Sequence, residues 1–183
     1  LTTGSSKTAI VGAGNFAQAT HLPNLARLKD RFSIHCVMSR TGVNARTAAL
    51  QWRASYATTD FDAVLGDSQV ALVIVSTRHN LHTELALRAL RAGKHVLVEK
   101  PIAVRPAEAN ELVDLAKAKG CRLQVGHSER FNPIMQVMRP QIRRPAFIEA
   151  HRMGTYSERG TDVDVVLDLM IPDLDLVLSF NPG

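Results

Sequence analysis

A glycine-rich turn lies between a predicted strand and a predicted helix near the start of the chain. Residues 12–17 read GAGNFA and directly follow the apolar run Thr8–Val11. Gly12 allows a tight turn, Gly14 lets the backbone approach a pyrophosphate, and Ala17 is small enough for close packing of helix on strand. Free N–H groups at the helix start favour phosphate. The alternative is a plain strand-to-helix turn, but we predict dinucleotide contacts at Gly12, Gly14, Asn15, Phe16 and Ala17.

A lysine follows a second apolar run, Val96–Val98, at the point where a strand would end. Ligands of open α/β sheets bind outside the carboxyl ends of the strands, so we predict that Glu99 and Lys100 lie at a ligand site. Oxidation of an alcohol removes a hydride and a proton. Lys100 could accept that proton as a general base, or it could only hydrogen-bond the substrate hydroxyl. The alternative is a surface lysine before a proline turn.

Two further pairs of residues bear on the cofactor. Ser39 and Arg40 end the second predicted strand, where NAD enzymes usually carry an acidic residue for the ribose 2′-OH. An arginine accommodates a 2′-phosphate instead, so this pair favours NADP over NAD, unless Arg40 is simply solvated. Thr77 and His82 flank the turn after the apolar run Ala71–Ser76. A lone histidine at a helix start is more often satisfied by the backbone than used in a site.

These residues need a scaffold, and strand-like and helix-like segments alternate from Lys7 onward. Strands are predicted at residues 9–11, 32–38, 71–76, 95–98 and 121–125. Helices are predicted at residues 16–28, 44–51, 59–65, 81–91 and 106–119. The continuous apolar run Ala71–Ser76 is typical of a strand covered on both faces. The alternation predicts an α/β fold with a doubly wound parallel sheet of the Rossmann type.

The organisation changes after about Gly126. We predict a dinucleotide-binding domain over residues 1–127 and the start of a second domain, incomplete in this chain, over residues 128–183. Residues 146–152 alternate like an antiparallel strand, and residues 165–180 are apolar and predict a helix. His127 and Arg130 are expected to lie at the junction of the two domains. Arg130 could bind a substrate phosphate or only brace its loop.

Composition limits the classes of function. The 183-residue chain has a net charge of +5, which suits an anionic ligand such as a dinucleotide or a sugar nucleotide. Basic residues are scattered and aromatic residues make up 5% of the chain, so we expect no nucleic-acid partner. No apolar run reaches the roughly 20 residues of a membrane span, and the N-terminus lacks an export signal pattern, so we expect a cytoplasmic protein. Cys36 and Cys121 are expected to be free buried thiols, and no metal-ligand spacing occurs.

Five motifs in order give the chain a family resemblance. They are GAGNFA at 12–17, VSTRHNLH at 75–82, AGKHVLVEKP at 92–101, VGHSERFNP at 125–133 and DLMIPDLD at 168–175. The chain resembles the Gfo/Idh/MocA oxidoreductases, named for glucose-fructose oxidoreductase, inositol dehydrogenase and a rhizopine catabolism protein. The fourth motif is similar to that of the branch acting on nucleotide sugars, such as UDP-N-acetylglucosamine 3-dehydrogenases.

The resemblance implies hydride transfer between NAD(P) and a sugar or a related polyol, with Lys100 beside the nicotinamide and the reacting hydroxyl. It also implies roles near the cofactor for Thr77 and His82, and a catalytic-site role for Asp168, which could otherwise cap a helix. Residues 128–183 would be the start of an incomplete α/β substrate domain, with His127 and Arg130 facing the substrate. Weaker expectations are sugar-nucleotide contacts at His151, Arg152, Tyr156 and Arg159.

The sequence departs from the family pattern at one catalytic position. The last family motif usually reads DxxxHxxD, and Pro172 stands in place of its histidine. Proline cannot relay a proton, and inside a helix it would cost about 3 kcal/mol.

Three interpretations therefore remain at this point. The first is an NAD(P)-dependent sugar or nucleotide-sugar oxidoreductase, or a fragment of one. The second is a non-catalytic dinucleotide-binding module, favoured by Pro172 and by a substrate domain shorter than the family's. The third is an assembly role for the apolar helix at residues 165–180, which could pack across a dimer, so we also expect a homo-oligomer.

Overall fold

The computed structural model describes residues 5–143, 145–153 and 165–180, apart from the side chain of Asp168. The chain divides into two compact units, Leu1–Val125 and Gly126–Gly183. The first unit contains a parallel sheet with helices, and the described residues of the second unit contain helices and turns.

The first unit is built on six strands that all pair in parallel. In chain order they are β1 Ser6–Val11, β2 Phe32–Met38, β3 Tyr56–Thr58, β4 Leu72–Val75, β5 His95–Val98 and β6 Leu123–Val125. Their order across the sheet is β3-β2-β1-β4-β5-β6. This is the order of a doubly wound dinucleotide-binding sheet, and the predicted fold class is confirmed.

Helical segments connect the strands. The π-helical turn Ala17–His21 leads into α1, and the 3₁₀ turn His79–Leu81 leads into α4. The helices of the first unit are α1 Leu22–Arg27, α2 Gly42–Gln51, α3 Phe61–Gly66, α4 His82–Arg91 and α5 Pro106–Ala118. In the second unit, α6 Pro133–Met138 lies between two 3₁₀ turns, and the π-helical turn Val166–Met170 leads into α7 Ile171–Phe180.

Sequence signals account for the ends of two helices. The Asp60 carboxylate accepts a hydrogen bond from the Asp62 N–H at 2.8 Å and so caps α3. Pro106 is the first residue of α5, where its missing N–H costs little, and Gly120 follows the helix with φ of +64°. These two helices correspond to the ones predicted at residues 59–65 and 106–119.

The core lies on both faces of the sheet. Ala9 and Val11 of β1 pack into one buried cluster, whereas Ile10 between them packs into the other. Val73 and Val75 of β4 are divided from Ile74 in the same way. Because successive side chains of a strand point to opposite faces, a strand covered on both sides must be apolar throughout. This explains the uninterrupted apolar runs that predicted the central strands.

Two features of the fold differ from the sequence predictions. β3 was not predicted, because Tyr56–Thr58 is a three-residue edge strand with little pattern to detect. The strand predicted at residues 146–152 is wrong, since those residues have no regular structure and pair with no described strand. Alternation alone does not make a strand when no neighbour supplies the backbone partners. Both cysteines are free as predicted, but Cys121 is only half-buried.

Candidate functional site

Gly12 occupies a position that only glycine can fill. Its φ is +97°, and its N–H donates to the Met38 carbonyl oxygen at 3.0 Å. A Cβ atom at this position would lie 2.5 Å from the Ser76 carbonyl oxygen and 2.8 Å from the Thr77 nitrogen. Gly12 therefore packs the turn after β1 directly against the backbone that follows β4.

Gly14 contrasts with Gly12, because its surroundings are open. A Cβ atom at Gly14 would meet nothing within 4 Å, and the residue is exposed. The Gly14 carbonyl oxygen accepts a hydrogen bond from the Gln18 N–H at 3.0 Å, so the helix begins at this turn. Ala17 is fully buried, while Asn15 is exposed and Phe16 is 37% exposed. Open space beside a helix start fits the approach of a pyrophosphate.

The other cofactor candidates in this unit follow the carboxyl ends of neighbouring strands. Val11 of β1 is paired with Met38 of β2, so Ser39 and Arg40 follow β2 at the same edge of the sheet as Gly12. The Ser39 N–H donates to the Thr58 carbonyl oxygen at 3.3 Å, and Arg40 is exposed. The half-buried Thr77 comes two residues after the end of β4 at the same edge.

Glu99 and Lys100 follow β5 at this same carboxyl edge. The Glu99 N–H donates to the Val75 carbonyl oxygen at 3.0 Å, and the Lys100–Pro101 peptide bond is cis. Lys100 is half-buried. The Glu99 carboxylate lies 2.8 Å from His21 Nε2, and the two side chains are 14% and 13% exposed. Sequence reasoning missed His21, because its partner is far along the chain and no local spacing connects them.

His82 was predicted near the cofactor, and the structure buries it completely. Its Nδ1 atom lies 2.8 Å from the Pro101 carbonyl oxygen, and its Nε2 atom lies 3.2 Å from the Thr77 carbonyl oxygen. Both ring nitrogens face the backbone of loops at the carboxyl edge. The structure thus favours the alternative of a backbone-satisfied histidine, which acts through the two loops that it joins.

The amino edge of the sheet carries a second polar cluster that the sequence did not indicate. His35 Nε2 and the Tyr56 hydroxyl each lie 3.0 Å from one Asp67 carboxylate oxygen. The Gln69 N–H donates to the other oxygen at 2.8 Å, and the buried Lys94 ammonium donates to the Asp67 carbonyl oxygen at 2.6 Å.

The cluster shifts the ionisation of its members. Burial raises the pKa of Asp67, but the hydrogen bonds from Gln69 and Tyr56 and the neighbouring His35 outweigh it, so the pKa lies below its usual value. Burial also raises the pKa of the adjacent Cys36 thiol to about 11. The Tyr56 pKa is raised as well, chiefly by burial. At neutral pH the cluster therefore holds a carboxylate, a phenol and a thiol that are fixed in these states.

In the second unit, the predicted substrate residue Arg130 is engaged by an acid. Its Nε and Nη2 atoms donate to the two Asp175 carboxylate oxygens at 2.5 and 2.6 Å. Asp175 is buried and belongs to α7. His127 Nε2 lies 3.7 Å from the same carboxylate, and its buried Nδ1 has no hydrogen-bond partner among the described residues. The two-pronged ion pair favours the bracing alternative for Arg130.

Arg152 is paired in the same manner. Its Nε and Nη2 atoms donate to the Asp173 carboxylate at 3.0 and 2.8 Å, and these bonds lower the pKa of Asp173. Pro172 beside it is the second residue of α7, directly after the π-helical turn. The helical backbone continues without a break from the π-helical turn into α7, so Pro172 lies inside a helical segment and removes one of its hydrogen-bond donors, as the sequence predicted.

Four remaining site predictions have less support. The side chain of Asp168 and all of Tyr156 and Arg159 lie outside the described residues, although Asp168 itself falls within the π-helical turn. His151 is exposed and lies 2.8 Å from the Glu149 carboxylate. The described residues include no cluster of metal-ligating side chains and no helix long and apolar enough to cross a membrane.

The sheet order, the enforced Gly12 turn and the open space at Gly14 define a dinucleotide-binding protein of the Rossmann class. Over residues 6–127, the chain matches the Gfo/Idh/MocA family model, which describes an oxidoreductase family with an NAD-binding Rossmann fold. The chain belongs to the Gfo/Idh/MocA oxidoreductase family, as its motifs predicted.

Individual relatives agree with this assignment. The chain is 38% identical over 130 residues to an uncharacterised oxidoreductase of Schizosaccharomyces pombe, covering 69% of this chain and 34% of that protein. It is 30% identical over 173 residues to UDP-N-acetylglucosamine 3-dehydrogenase of Acidithiobacillus ferrooxidans, covering 94% of this chain and 53% of that protein.

The solved structure of that dehydrogenase is similar with a TM-score of 0.87, covering 97% of this chain and 56% of that one. A 3-ketoreductase from Actinomadura kijaniata, solved with NADP and TDP-benzene, is 27% identical with a TM-score of 0.70, covering 75% of this chain and 43% of that one. The chain thus spans about half or less of the length of each of these relatives.

Proposed function

We propose that this chain is the cofactor-binding part of an NAD(P)-dependent oxidoreductase that acts on a hydroxyl or keto group of a sugar or nucleotide sugar. The observation that carries the proposal is the paired arrangement at one sheet edge. The Gly12–Ala17 turn leaves open space for a pyrophosphate, and Lys100 follows β5 at the same edge. Family membership and the names of the sugar-acting relatives support the substrate class.

The residues of the carboxyl edge have distinct proposed roles. The turn at Gly12 and Gly14 would hold the pyrophosphate against the helix start, and Arg40 would meet a ribose 2′-phosphate. NAD(P), when bound, supplies or accepts the hydride. Lys100 would hold the substrate hydroxyl through Nζ and receive its proton during oxidation, or return a proton during reduction. The exposed Arg40, and a relative solved with NADP, favour NADP.

Calorimetric titration of the chain with NADPH and with NADH tests this proposal. We expect both to bind and NADPH to bind more tightly. Gly14→Val is the matched variant, since its side chain would fill space that is open in the fold and would be occupied by the pyrophosphate. We expect this variant to keep the melting temperature and to lose at least about tenfold in affinity. Binding of neither nucleotide to the wild-type chain would refute the proposal.

A second candidate is a non-catalytic dinucleotide-binding module, and Pro172 is the observation that favours it. In a full-length protein, this candidate predicts no turnover with a panel of sugars and nucleotide sugars, even though NAD(P)H binds. The oxidoreductase proposal predicts turnover with at least one of them, and a higher rate after Pro172→His. Unchanged turnover in that variant, with cofactor still bound, would remove position 172 from the proposed chemistry.

We also propose that the protein forms a homo-oligomer. The support is the apolar character of the C-terminal helical segment, where Val166, Leu174 and Leu178 are 45%, 44% and 65% exposed. Sedimentation velocity over a range of protein concentrations tests this proposal, and a monomer at the highest concentration would contradict it. A cytoplasmic location stays a prediction.

A further inference from the structure

We propose that two histidines, His21 and His82, position Lys100 by anchoring the residues on either side of it. His21 binds the side chain of Glu99, and His82 binds the carbonyl oxygen of Pro101. The inference rests on the proposed function only in the catalytic role that it gives to Lys100. The anchoring itself concerns the fold of this chain and can be tested without a reaction.

The first anchor crosses the end of an intervening strand. His21 lies in the π-helical turn after β1, and Glu99 directly follows β5. β4 lies between β1 and β5 in the sheet, so the contact joins two loops that are not neighbours. Both side chains are less than 15% exposed, which shields their 2.8 Å hydrogen bond from competing water.

The second anchor holds the residue that follows Lys100 in the chain. His82 begins α4, and its Nδ1 atom lies 2.8 Å from the Pro101 carbonyl oxygen. We assign an N–H to Nδ1 because its partner is a carbonyl oxygen, which can only accept, and because this contact is shorter than the 3.2 Å contact of Nε2 with Thr77. His82 is fully buried, so a ligand cannot reach its ring in this structure and its role is to position.

Together the two anchors fix the backbone around Lys100. The Glu99 N–H is held by the Val75 carbonyl oxygen, the Glu99 carboxylate by His21, and the Pro101 carbonyl by His82. With both neighbours fixed, the direction in which the Lys100 side chain leaves the backbone is also fixed. Positioned groups contribute strongly to rate, because a small misplacement of a reacting atom is costly.

His21 also connects Lys100 to the phosphate-binding turn. The Phe16 ring packs edge-to-face on the His21 ring, with centroids 5.3 Å apart. Phe16 belongs to the turn predicted to bind the pyrophosphate. The contacts therefore run from that turn through His21 to Glu99, the neighbour of Lys100, so the position of Lys100 depends on the same helix that holds the cofactor.

Conservative replacements separate anchoring from simple loss of a buried ring. Glutamine can place an amide N–H near the position of a histidine Nε2, so His21→Gln keeps a donor for Glu99, whereas His21→Leu does not. Asparagine places its amide near the position of Nδ1, so His82→Asn keeps the donor for Pro101, whereas His82→Leu does not. The matched control is His95→Leu at the opposite end of β5, where the His95 ring accepts the Arg122 N–H at 3.1 Å.

Hydrogen–deuterium exchange of the backbone amides at residues 99–104 is the first measurement, made on the 183-residue chain. We expect exchange to speed up about tenfold in His21→Leu and His82→Leu, and to return toward the wild-type rate in His21→Gln and His82→Asn. His95→Leu should leave this segment unchanged. If His82→Leu fails to fold, His21→Leu against His21→Gln decides. Equal exchange in these two variants and wild type would overturn the inference.

Turnover of the full-length protein is the second measurement. We expect His21→Leu to lower kcat about tenfold with little change in KM for the nucleotide, and His21→Gln to restore much of kcat. A higher KM with unchanged kcat would overturn a positioning role. A wild-type protein that binds no nucleotide would refute the proposed function instead, and the exchange result would still decide whether the histidines anchor the segment.

Discussion

The carboxyl and amino edges of the sheet both carry polar residues, but they differ in how far these residues are engaged by hydrogen bonds within the chain. At the carboxyl edge, Arg40 is exposed and the space beside Gly14 is open. At the amino edge, His35, Tyr56 and Lys94 all direct hydrogen-bonding groups at Asp67. The carboxyl edge thus leaves Arg40 and the backbone beside Gly14 open to a ligand, whereas the polar groups gathered at Asp67 satisfy one another.

This difference shows that a cluster of titratable groups is not by itself a functional site. The Asp67 cluster has a perturbed carboxylate, a buried lysine and a histidine, which are features often associated with catalysis. Its hydrogen bonds are closed among its own members and the neighbouring backbone, so we interpret it as a stabilising network. The carboxyl edge instead offers open space beside the backbone at Gly14.

The largest expected effect comes from Gly12→Ala. Its φ of +97° and the 2.5 Å approach to the Ser76 carbonyl oxygen leave no space for a Cβ atom. We expect a loss of at least about 2 kcal/mol in unfolding free energy and loss of nucleotide binding. Gly14→Ala is the control, with stability close to wild type. Urea unfolding and calorimetry measure both, and a stable, nucleotide-binding Gly12→Ala would contradict the geometry.

Asp67→Asn should weaken the hydrogen bonds at the amino edge and leave the carboxyl edge unchanged. We expect a loss of about 1–3 kcal/mol of stability at pH 7, because Tyr56 and His35 lose a charged acceptor. The nucleotide Kd of the folded variant should not change. An altered Kd at full folding would mean that the two edges are coupled.

The same variant has a definite pH dependence. The pKa of Asp67 in the folded chain lies below its ordinary value of 3.8, so its stabilising effect is complete above that value and is lost as pH falls further. We expect the stability difference between wild type and Asp67→Asn to shrink below about pH 4. A difference that stays constant down to pH 2.5, within about 0.3 kcal/mol, would exclude this linkage.

Arg40→Ser should have a smaller and selective effect. The exposed guanidinium is proposed to meet the 2′-phosphate of NADP, and a charge-assisted contact contributes roughly 1.5 kcal/mol. We expect about tenfold weaker binding of NADPH and unchanged binding of NADH in calorimetric titrations. An equal loss for both nucleotides would place Arg40 elsewhere in the site.

The smallest effect is expected at the two thiols, whose labelling changes no interaction of the carboxyl edge. The Cys36 thiol is buried, with a pKa of about 11, so its thiolate is scarce at pH 8. Iodoacetamide should label the half-buried Cys121 first and Cys36 only after denaturation, as read by peptide mass spectrometry. Early labelling of Cys36 in the native chain would show that the core beside the Asp67 cluster opens.

How much of the structure could be predicted from the sequence depends on how far apart along the chain the interacting residues lie. The central strands were predictable, because burial on both faces demands apolar residues that are adjacent in sequence, as in Val73–Val75. The glycine turn was predictable for a similar reason, since its requirements lie within Gly12–Ala17. Five motifs in order were enough to identify the family.

Pairings between distant residues were not predictable from spacing. His21 meets Glu99, and His35 meets Asp67, only because the sheet order brings them together. Arg130 was predicted to face substrate, yet its charge is matched by Asp175 of α7. The identity of an arginine's partner depends on tertiary packing, and no local pattern encodes it.

The close approach of Gly12 to Ser76 and Thr77 also bears on the order of folding. The Gly12–Ala17 turn cannot take its final shape until β4 has docked beside β1, because the backbone after β4 packs directly against Gly12. A nascent chain that has emerged only as far as β2 would have the glycine motif without the turn. Competence to hold a nucleotide would therefore arise together with the long-range pairing of β1 and β4, rather than from the local motif that marks it in the sequence.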